Sequence, residues 1–214
     1  MLEKLSSVKL LEGLQLDMYL TRAEQDMPLF EGWRGNRAEV ESARAALSKW
    51  NKTLRKESAE AALYTAWRGA VDPKARDAST PQTTRLQLAQ AGLEKAIQTL
   101  TKKQGPDRLR WRYGRLHTRS FPHAFVSQFD LPTVERGGGP GTVAADGASY
   151  REIVDAGDWD RSVVTQVPGQ SGQPESEFYG NLLPLWANNE YFPLVFSRKA
   201  VDQQAARRLM LQPR

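Results

Sequence analysis

The two histidines of the chain, His117 and His123, are the side chains with the widest choice of catalytic chemistry. They lie six residues apart in the arginine- and aromatic-rich stretch WRYGRLHTRSFPHAF, residues 111–125. An imidazole can transfer protons near neutral pH or bind a metal. A metal site is disfavoured, because a Phe121–Pro122 turn separates the rings and no carboxylate cluster at helical spacing lies nearby. Structural histidines with satisfied hydrogen bonds are favoured.

A nucleophile for a histidine base is also poorly supported. The best serine, Ser171 in PGQSGQP, misses the nucleophile-elbow pattern, because Gln173 stands where that pattern has glycine. A Ser-His-acid triad built from residues distant in sequence stays open but disfavoured. The absence of cysteine excludes disulfides, thiolate zinc sites and a cysteine nucleophile, and it leaves the cellular compartment open.

Two loops have the composition of ligand-binding loops. The segment Glu135–Thr142, ERGGGPGT, could form an anion nest from consecutive amides, but it lacks the Lys-Ser/Thr ending of a P-loop. A tight turn that feeds a strand, TVAA, is favoured. Asp155, Asp158 and Asp160 resemble a fragment of a calcium loop without the rest of its pattern, so solvated turn acids are expected.

The charge of the chain permits a nucleic-acid partner without favouring one. The formal net charge is +5, but 25 acidic residues offset 30 basic ones. The densest basic run, Arg108–Arg115, alternates arginine with Leu109, Trp111 and Tyr113, which favours a strand with one solvated cationic face. No apolar run approaches the roughly 20 residues that a bilayer span requires. The first 20 residues lack the apolar centre of a signal peptide.

The apolar spacing predicts a helical first half and a strand-rich second half. Helices are expected over residues 2–29, 37–47, 58–71 and 85–105, and strands in RLRWRYGRLHT, GTVAADG, SYREIVDAG and SVVTQVPGQSG. ESEFYGNLLPLWANNEY indicates a helix interrupted at Pro184, FPLVFS a short extended segment, and KAVDQQAARRLML a last helix. The prediction is an α+β chain with a helical segment, 1–105, a β-strand segment, 106–172, and a helix-strand-helix segment, 173–214, all parts of one larger domain.

The order of the motifs resembles one known family. WRYGRLH, Phe121 with His123, RGGGPGTV, SYREIVD, VPGQSGQPESEFYG, Trp186 and YFPLVFS together resemble the C-terminal part of the large (β) chain of the penicillin acylase (penicillin amidase) family. LQLDMYLTRAEQDMPLF and LEKAIQTLTKKQGPDRLRWRYG are similar to the helices that precede that region. The sequence departs from the family pattern at Pro140 and Ala144, where an acidic residue and an asparagine are more usual.

The resemblance implies a fold and a type of chemistry. The family consists of N-terminal-nucleophile (Ntn) hydrolases of αββα fold, which hydrolyse linear amides such as β-lactam antibiotics or acyl-homoserine lactones. Self-cleavage of the precursor makes a serine the first residue of the large chain, and its own α-amino group serves as the base, since such a group titrates near neutrality. Histidine has no catalytic part, so the resemblance implies structural roles in the β-layer for His117 and His123.

The same resemblance assigns no catalytic, cofactor-binding or metal-binding residue to this chain. The nucleophile serine, the oxyanion asparagine and the calcium ligands belong to the family region that precedes these motifs. The one Gly-Ser/Thr/Cys dipeptide, Gly141–Thr142, falls in a strand motif and is disfavoured as a self-cleavage site.

We therefore expect a C-terminal fragment whose partners are the missing N-terminal part of the β chain and the small α chain, with a small amide substrate in the complete enzyme and neither nucleic acid nor membrane as a partner. Alone, the chain is expected to be inactive and prone to aggregate through unpaired strand edges. The alternative is a non-catalytic subunit that complements a separately encoded N-terminal part. A periplasmic location is implied by the family but not by a signal peptide in this sequence.

Overall fold

The computed structural model describes residues 7–144, 147–206 and 208–211, and these divide into two compact units. The helical unit comprises the described residues from Leu16 to Ala144, and the sheet unit comprises residues 7–15 together with the described residues from Gly147 onward. Among the described residues, no helix combines the length and the apolar character that a bilayer span requires.

The helical unit contains four α-helices and one β-hairpin in its described residues. The helices are α2, Thr21–Asp26, α3, Ala38–Ser48, α4, Ala59–Ala70, and α5, Gln82–Gln104; the hairpin strands are β1, Thr118–Phe121, and β2, Leu131–Glu135. The sheet unit contains α1, Val8–Gln15, α6, Leu183–Asn188, and α7, Arg198–Gln204, with strands β3, Tyr150–Ile153, β4, Val163–Gln166, and β5, Phe192–Pro193. The α+β class is thus confirmed.

Packing of α4 against α5 forms the centre of the helical unit. Helix α4 begins at an N-cap, where the Ser58 hydroxyl accepts a hydrogen bond from the Ala61 amide at 3.0 Å. Helix α5 ends at Gly105, whose φ of +94° lies in the region that favours glycine. Each helix has buried residues at three- and four-residue spacing, as an amphipathic helix requires; they include Ala61, Tyr64 and Trp67 on α4, and Ala89, Leu93, Ala96, Ile97 and Leu100 on α5.

Aromatic side chains fill the space between these helices and α2 and α3. Phe30 meets Trp67 edge-on with ring centroids 4.7 Å apart, and Trp50 contacts Tyr64 at 5.0 Å. The Trp67 indole donates a hydrogen bond to the Ala89 carbonyl at 3.0 Å, so the polar atom of this fully buried ring is satisfied.

The strand predicted over RLRWRYGRLHT, residues 108–118, is wrong up to His117. The segments Arg108–Arg110 and Tyr113–Arg115 are 3₁₀-helices, and β1 begins only at Thr118. Two backbone hydrogen bonds override the alternating pattern: the Tyr113 amide donates to Ser58 at 3.1 Å and the Gly114 amide donates to Lys56 at 2.8 Å. These bonds hold the segment against the start of α4 instead of in a sheet ladder.

The predicted single helix over residues 2–29 is also wrong within its described part. It is divided into α1 and α2, and residues 27–30 form a 3₁₀-helix. The break has a physical cause, because the chain between the helices pairs with an extended segment. The Leu20 amide donates to Lys52 and the Leu54 amide donates to Met18, both at 2.9 Å.

The sheet unit contains an antiparallel three-stranded sheet in the order β3-β4-β5. Tyr150 pairs with Gln166 and Ile153 with Val163, so Arg151 and Ile153 point to the buried face. Helix α6 packs on this sheet, and its Trp186 indole donates to the Ala148 carbonyl at 2.7 Å. The strands predicted in SYREIVDAG and SVVTQVPGQSG are confirmed as β3 and β4.

The C-terminal helices are shorter than expected. Pro184 lies in the first turn of α6 rather than inside a longer helix, where its missing amide hydrogen would cost a bond. Helix α7 ends at Gln204 instead of continuing to Leu211. The three-segment division of the sequence stays a prediction.

Candidate functional site

The two histidines lie at opposite ends of β1, in the helical unit. His117 is half-buried beside Tyr113, with the rings stacked at 5.2 Å, and its carbonyl accepts a hydrogen bond from the Arg136 amide at 2.9 Å. A four-residue strand spans roughly 13 Å, which is far too long for both imidazoles to bind one metal ion. Across the described residues, no group of three or more histidines, aspartates and glutamates could hold a metal.

His123 organises the loop between β1 and β2. Its Nδ1 accepts hydrogen bonds from the Val126 amide at 3.1 Å and the Phe125 amide at 3.3 Å, while its own amide donates to Asp130 at 2.7 Å. The ring also meets Phe129 edge-on at 5.5 Å. An Nδ1 that accepts backbone hydrogen bonds is a turn element rather than a free base, which supports the structural interpretation.

The glycine-rich segment 135–142 closes a tight loop, and several of its amides donate to other groups of the protein. The Gly138 amide donates to Leu54 at 2.8 Å, and the Gly139 amide donates to the Thr142 hydroxyl at 3.1 Å. A Cβ on Gly139, where φ is +149°, would lie 2.9 Å from the Tyr113 hydroxyl oxygen. The turn is therefore confirmed. The strand expected at 142–144 is wrong, since these residues form bends, and Ala145 lies outside the described residues.

Thr142 acts within this loop as a hydrogen-bonding group. Its hydroxyl donates to the Gly139 carbonyl at 2.9 Å, and its amide donates to the same carbonyl at 3.0 Å. At the two positions that depart from the family pattern, Pro140 is exposed, whereas Ala144 is buried and donates its amide to Asp17 at 2.7 Å. The geometry gives Thr142 a role in closing the loop.

Ser171 lies in the sheet unit, whereas both histidines lie in the helical unit. Its hydroxyl accepts a hydrogen bond from the Gln173 amide at 3.0 Å, and its amide donates to Phe178 at 3.1 Å. The surrounding depression, of about 810 Å³, is open and lined by Ser176, Phe178, Asn181 and other residues. Ser171 is thus the hydrogen-bonding residue of a turn, and the sheet unit supplies no histidine base for it.

The three aspartates of DAGDWD each accept backbone hydrogen bonds. Asp155 accepts from Gly157 at 3.0 Å, and Asp158 accepts from Asp160 at 3.3 Å. Asp160 accepts from the Phe196 and Ser197 amides, both at 2.8 Å. The Ser197 hydroxyl and these amides hold the pKa of Asp160 below its usual range. The carboxylates therefore act as turn and cap acceptors.

The arginines of Arg108–Arg115 are partly paired. Arg112 forms an ion pair with Glu135 at 2.8 Å, Arg108 donates to the Ser42 hydroxyl at 3.0 Å, and Arg110 lies 3.7 Å from Asp107. Because the run consists of 3₁₀ turns, these side chains do not share the single face of a strand. The cationic strand face expected from the alternation is wrong.

Sequence reasoning missed a buried polar cluster at Asp26. This residue is 3% exposed, and its carboxylate accepts hydrogen bonds from the Tyr64 hydroxyl at 2.7 Å and from Arg68. Burial and the bond to Asp26 raise the pKa of Tyr64. No motif marks this cluster, because Asp26 lies 38 residues before Tyr64 and 42 residues before Arg68. Their proximity follows only from the docking of α2 on α4.

A comparison with family sequence profiles identifies one family. The sequence profile of the family described as penicillin amidase matches residues 1–203. Among solved structures, the chain is similar to a thermostable penicillin G acylase from Alcaligenes faecalis in orthorhombic form, with 13% identity and a TM-score of 0.42 over 91% of this chain. The match covers 46% of that acylase chain, so the present sequence spans about half its length. No curated protein sequence matches.

Proposed function

Because the chain belongs to the penicillin amidase family, we propose that it forms the C-terminal part of the large chain of an Ntn amidohydrolase that cleaves linear amides. The observation that carries the proposal is the family match over residues 1–203. The ordered motifs from WRYGRLH to YFPLVFS support the placement within the large chain. β-Lactam antibiotics and acyl-homoserine lactones are the two substrate types that the family suggests.

The proposal assigns the bond-breaking groups to a part of the enzyme outside this sequence. An Ntn hydrolase needs a serine whose α-amino group is free to accept a proton, together with donors for the oxyanion. The best candidates in this chain are engaged otherwise, since Ser171 accepts a turn hydrogen bond and Thr142 closes the glycine-rich loop. The described residues thus support a scaffold role.

The sheet unit would supply strands to a larger sheet. Within the described residues, β3 pairs on one side only, with β4. Its Arg151 and Ile153 are already buried, whereas Tyr150 is exposed. Under the proposal, a strand from the N-terminal part of the β chain pairs with this edge and the small α chain completes the enzyme.

An amidase assay of the purified chain tests the proposal. We expect no turnover of a chromogenic linear amide such as a nitroanilide, because the nucleophile and oxyanion donors are supplied elsewhere. Thr142→Ala is the matched variant, since Thr142 follows the one dipeptide at which self-cleavage could occur. Turnover that survives Thr142→Ala would contradict the proposal. Turnover that this variant abolishes would also contradict it and would identify Thr142 as the nucleophile.

The alternative is a non-catalytic subunit that complements a separately encoded N-terminal part. The partly unpaired sheet suits a protein that assembles with another chain. Reading the DNA in frame upstream of the Met1 codon distinguishes a part of one precursor from a separately encoded subunit. A continuous frame through a Gly-Ser and a small chain supports one precursor. An in-frame stop, with activity restored by co-expression with a neighbouring gene product, supports the subunit.

A further inference from the structure

A small cavity in the helical unit combines an apolar floor with a cationic rim. Its volume is about 340 Å³, at the low end of the range of roughly 300–1,000 Å³ for small-molecule sites. The buried side chains that line it are Leu20, Leu54, Tyr64 and Tyr113; the exposed or half-buried lining residues are Arg22, Thr65, Arg68, Gly69, His117 and Pro140.

The charged side chains on the rim are two arginines, Arg22 and Arg68. No acidic residue lines the cavity. Arg68 is paired with the buried Asp26, which does not line the cavity, but the Arg68 side chain remains 27% exposed. Arg22 is exposed, and among the residues that the structure describes it has no ion-pair or hydrogen-bond partner. An anion would meet Arg22 directly and Arg68 beside it.

The glycine-rich loop fixes the wall on which Arg22 rests. A Cβ on Gly141 would lie 3.6 Å from the Arg22 Cζ and 3.2 Å from Leu20 Cδ1, so the absence of a side chain lets the guanidinium lie against the loop backbone. The Tyr113 hydroxyl holds the same loop through its 2.7 Å bond to the Gly138 carbonyl. The cavity is thus bounded by a helix and a pinned loop.

We propose that this cavity binds a small carboxylate with an apolar body. The carboxylate would accept charge-assisted hydrogen bonds from Arg22, whose planar fork suits two carboxylate oxygens. The apolar body would lie on Leu20, Leu54 and the rings of Tyr64 and Tyr113. Such binding would not depend on amide hydrolysis.

Calorimetric titration of the full chain with benzoate and with benzamide tests the proposal, because the two probes share a ring and differ in charge. We expect benzoate to bind at least tenfold more tightly than benzamide. Arg22→Gln should weaken benzoate about tenfold, the loss of roughly one charge-assisted bond. Arg37→Gln, which removes an equal charge from an exposed site outside the cavity, should leave the affinity unchanged.

A second variant tests the location without removing a charge. Gly69 lines the cavity, and a Cβ there meets no atom within 4 Å, so a leucine at this position should obstruct the cavity without a clash, and Gly69→Leu should weaken benzoate binding at least tenfold while α4 remains folded. Far-ultraviolet circular dichroism checks the folding. Equal affinity for the two probes, no benzoate binding, retained binding in folded Gly69→Leu, or equal losses in Arg22→Gln and Arg37→Gln would each overturn the proposal.

Discussion

The Asp26 carboxylate illustrates how one buried charge depends on its neighbours. We expect Asp26→Asn to lower the free energy of unfolding by about 3 kcal/mol, because it leaves the Arg68 guanidinium without its charged partner in a mostly buried site. Tyr64→Phe should cost only about 1 kcal/mol, since Asp26 keeps Arg68. Urea denaturation measures both.

Glu31→Gln is the control for this pair of variants. It removes a carboxylate at an exposed position near α2, and such surface changes usually stay within about 0.5 kcal/mol. A loss in Asp26→Asn no larger than that of Glu31→Gln would show that the buried cluster does not stabilise the fold.

The pKa of Glu41 makes the stability of the folded chain depend on pH in the acidic range. Hydrogen bonds from Arg44 and from the Gly35 amide lower the pKa of Glu41 to about 2. The unfolded chain therefore binds a proton on Glu41 at a higher pH than the folded chain does. The ionised Glu41 thus stabilises the folded chain fully above the unfolded pKa, near 4.5, and this stabilisation is lost as the pH falls toward 2.

Thermal unfolding midpoints measured between pH 6 and pH 2 check this sign. We expect the difference between the wild-type chain and Glu41→Gln to be largest above about pH 5 and to shrink as the pH approaches 2. Glu39→Gln, on an exposed position of the same helix, is the control. A Glu41→Gln difference that is constant with pH would contradict the prediction.

At the scale of elements, the contact of α5 with the end of α4 depends on one glycine. A Cβ on Gly92 would lie 2.9 Å from the Val71 Cα, closer than packed atoms tolerate. Gly92→Ala should therefore destabilise the chain by about 1–3 kcal/mol, although alanine has the higher helix propensity. Chemical denaturation measures the loss.

Gly69→Ala is the matched control on α4, because its Cβ meets nothing within 4 Å. The same substitution there should be neutral or stabilising by up to about 1 kcal/mol. Equal effects of the two substitutions would mean that backbone entropy, and not helix contact, decides the outcome.

The elements that sequence reasoning located correctly are those whose signals are local. The cap at Ser58 and the glycine at Gly105 bound α4 and α5 within a few residues of the expected positions. The 3₁₀ turns at 108–115 and the break between α1 and α2 could not be found in this way, because each depends on backbone bonds to a distant segment, from Tyr113 to Ser58 and from Leu20 to Lys52.

The cavity of the helical unit could not be located from the sequence for the same reason. Its histidine was noted in the sequence, but Arg22, Arg68 and the loop at 138–141 come together only through tertiary contacts. Arginines are common surface residues, and no spacing distinguishes Arg22 from the others. By contrast, the family followed from the order of many short motifs, which survives in sequence even where single residues change.

For the whole molecule, we expect the two units to behave differently when separated. The contiguous apolar core, with its buried tryptophans and leucines, lies in the helical unit. A fragment of residues 16–146 should therefore fold alone, with cooperative urea unfolding and a near-ultraviolet dichroism spectrum that shows fixed aromatic packing. A gradual transition without near-ultraviolet signal would contradict this.

The full chain should be less soluble than that fragment. The sheet unit exposes Tyr150, Trp159 and Phe196, and β3 is paired on one side only within the described residues. Light scattering at equal molar concentration compares the two proteins. If the fragment aggregates faster than the full chain, the sheet unit does not drive association.

The positions of the tryptophans give the molecule two optical reporters. Trp67 is fully buried with its indole bonded to Ala89, in the helical unit, whereas Trp159 of the sheet unit is 54% exposed. Water around an indole shifts its emission to longer wavelength and admits collisional quenchers, whereas a dry aromatic cluster does neither. The red edge of the fluorescence spectrum therefore reports on Trp159 and its surroundings, and the blue edge reports on the buried indoles, which include Trp67 in the helical unit and Trp186 in the sheet unit, without any dye attached.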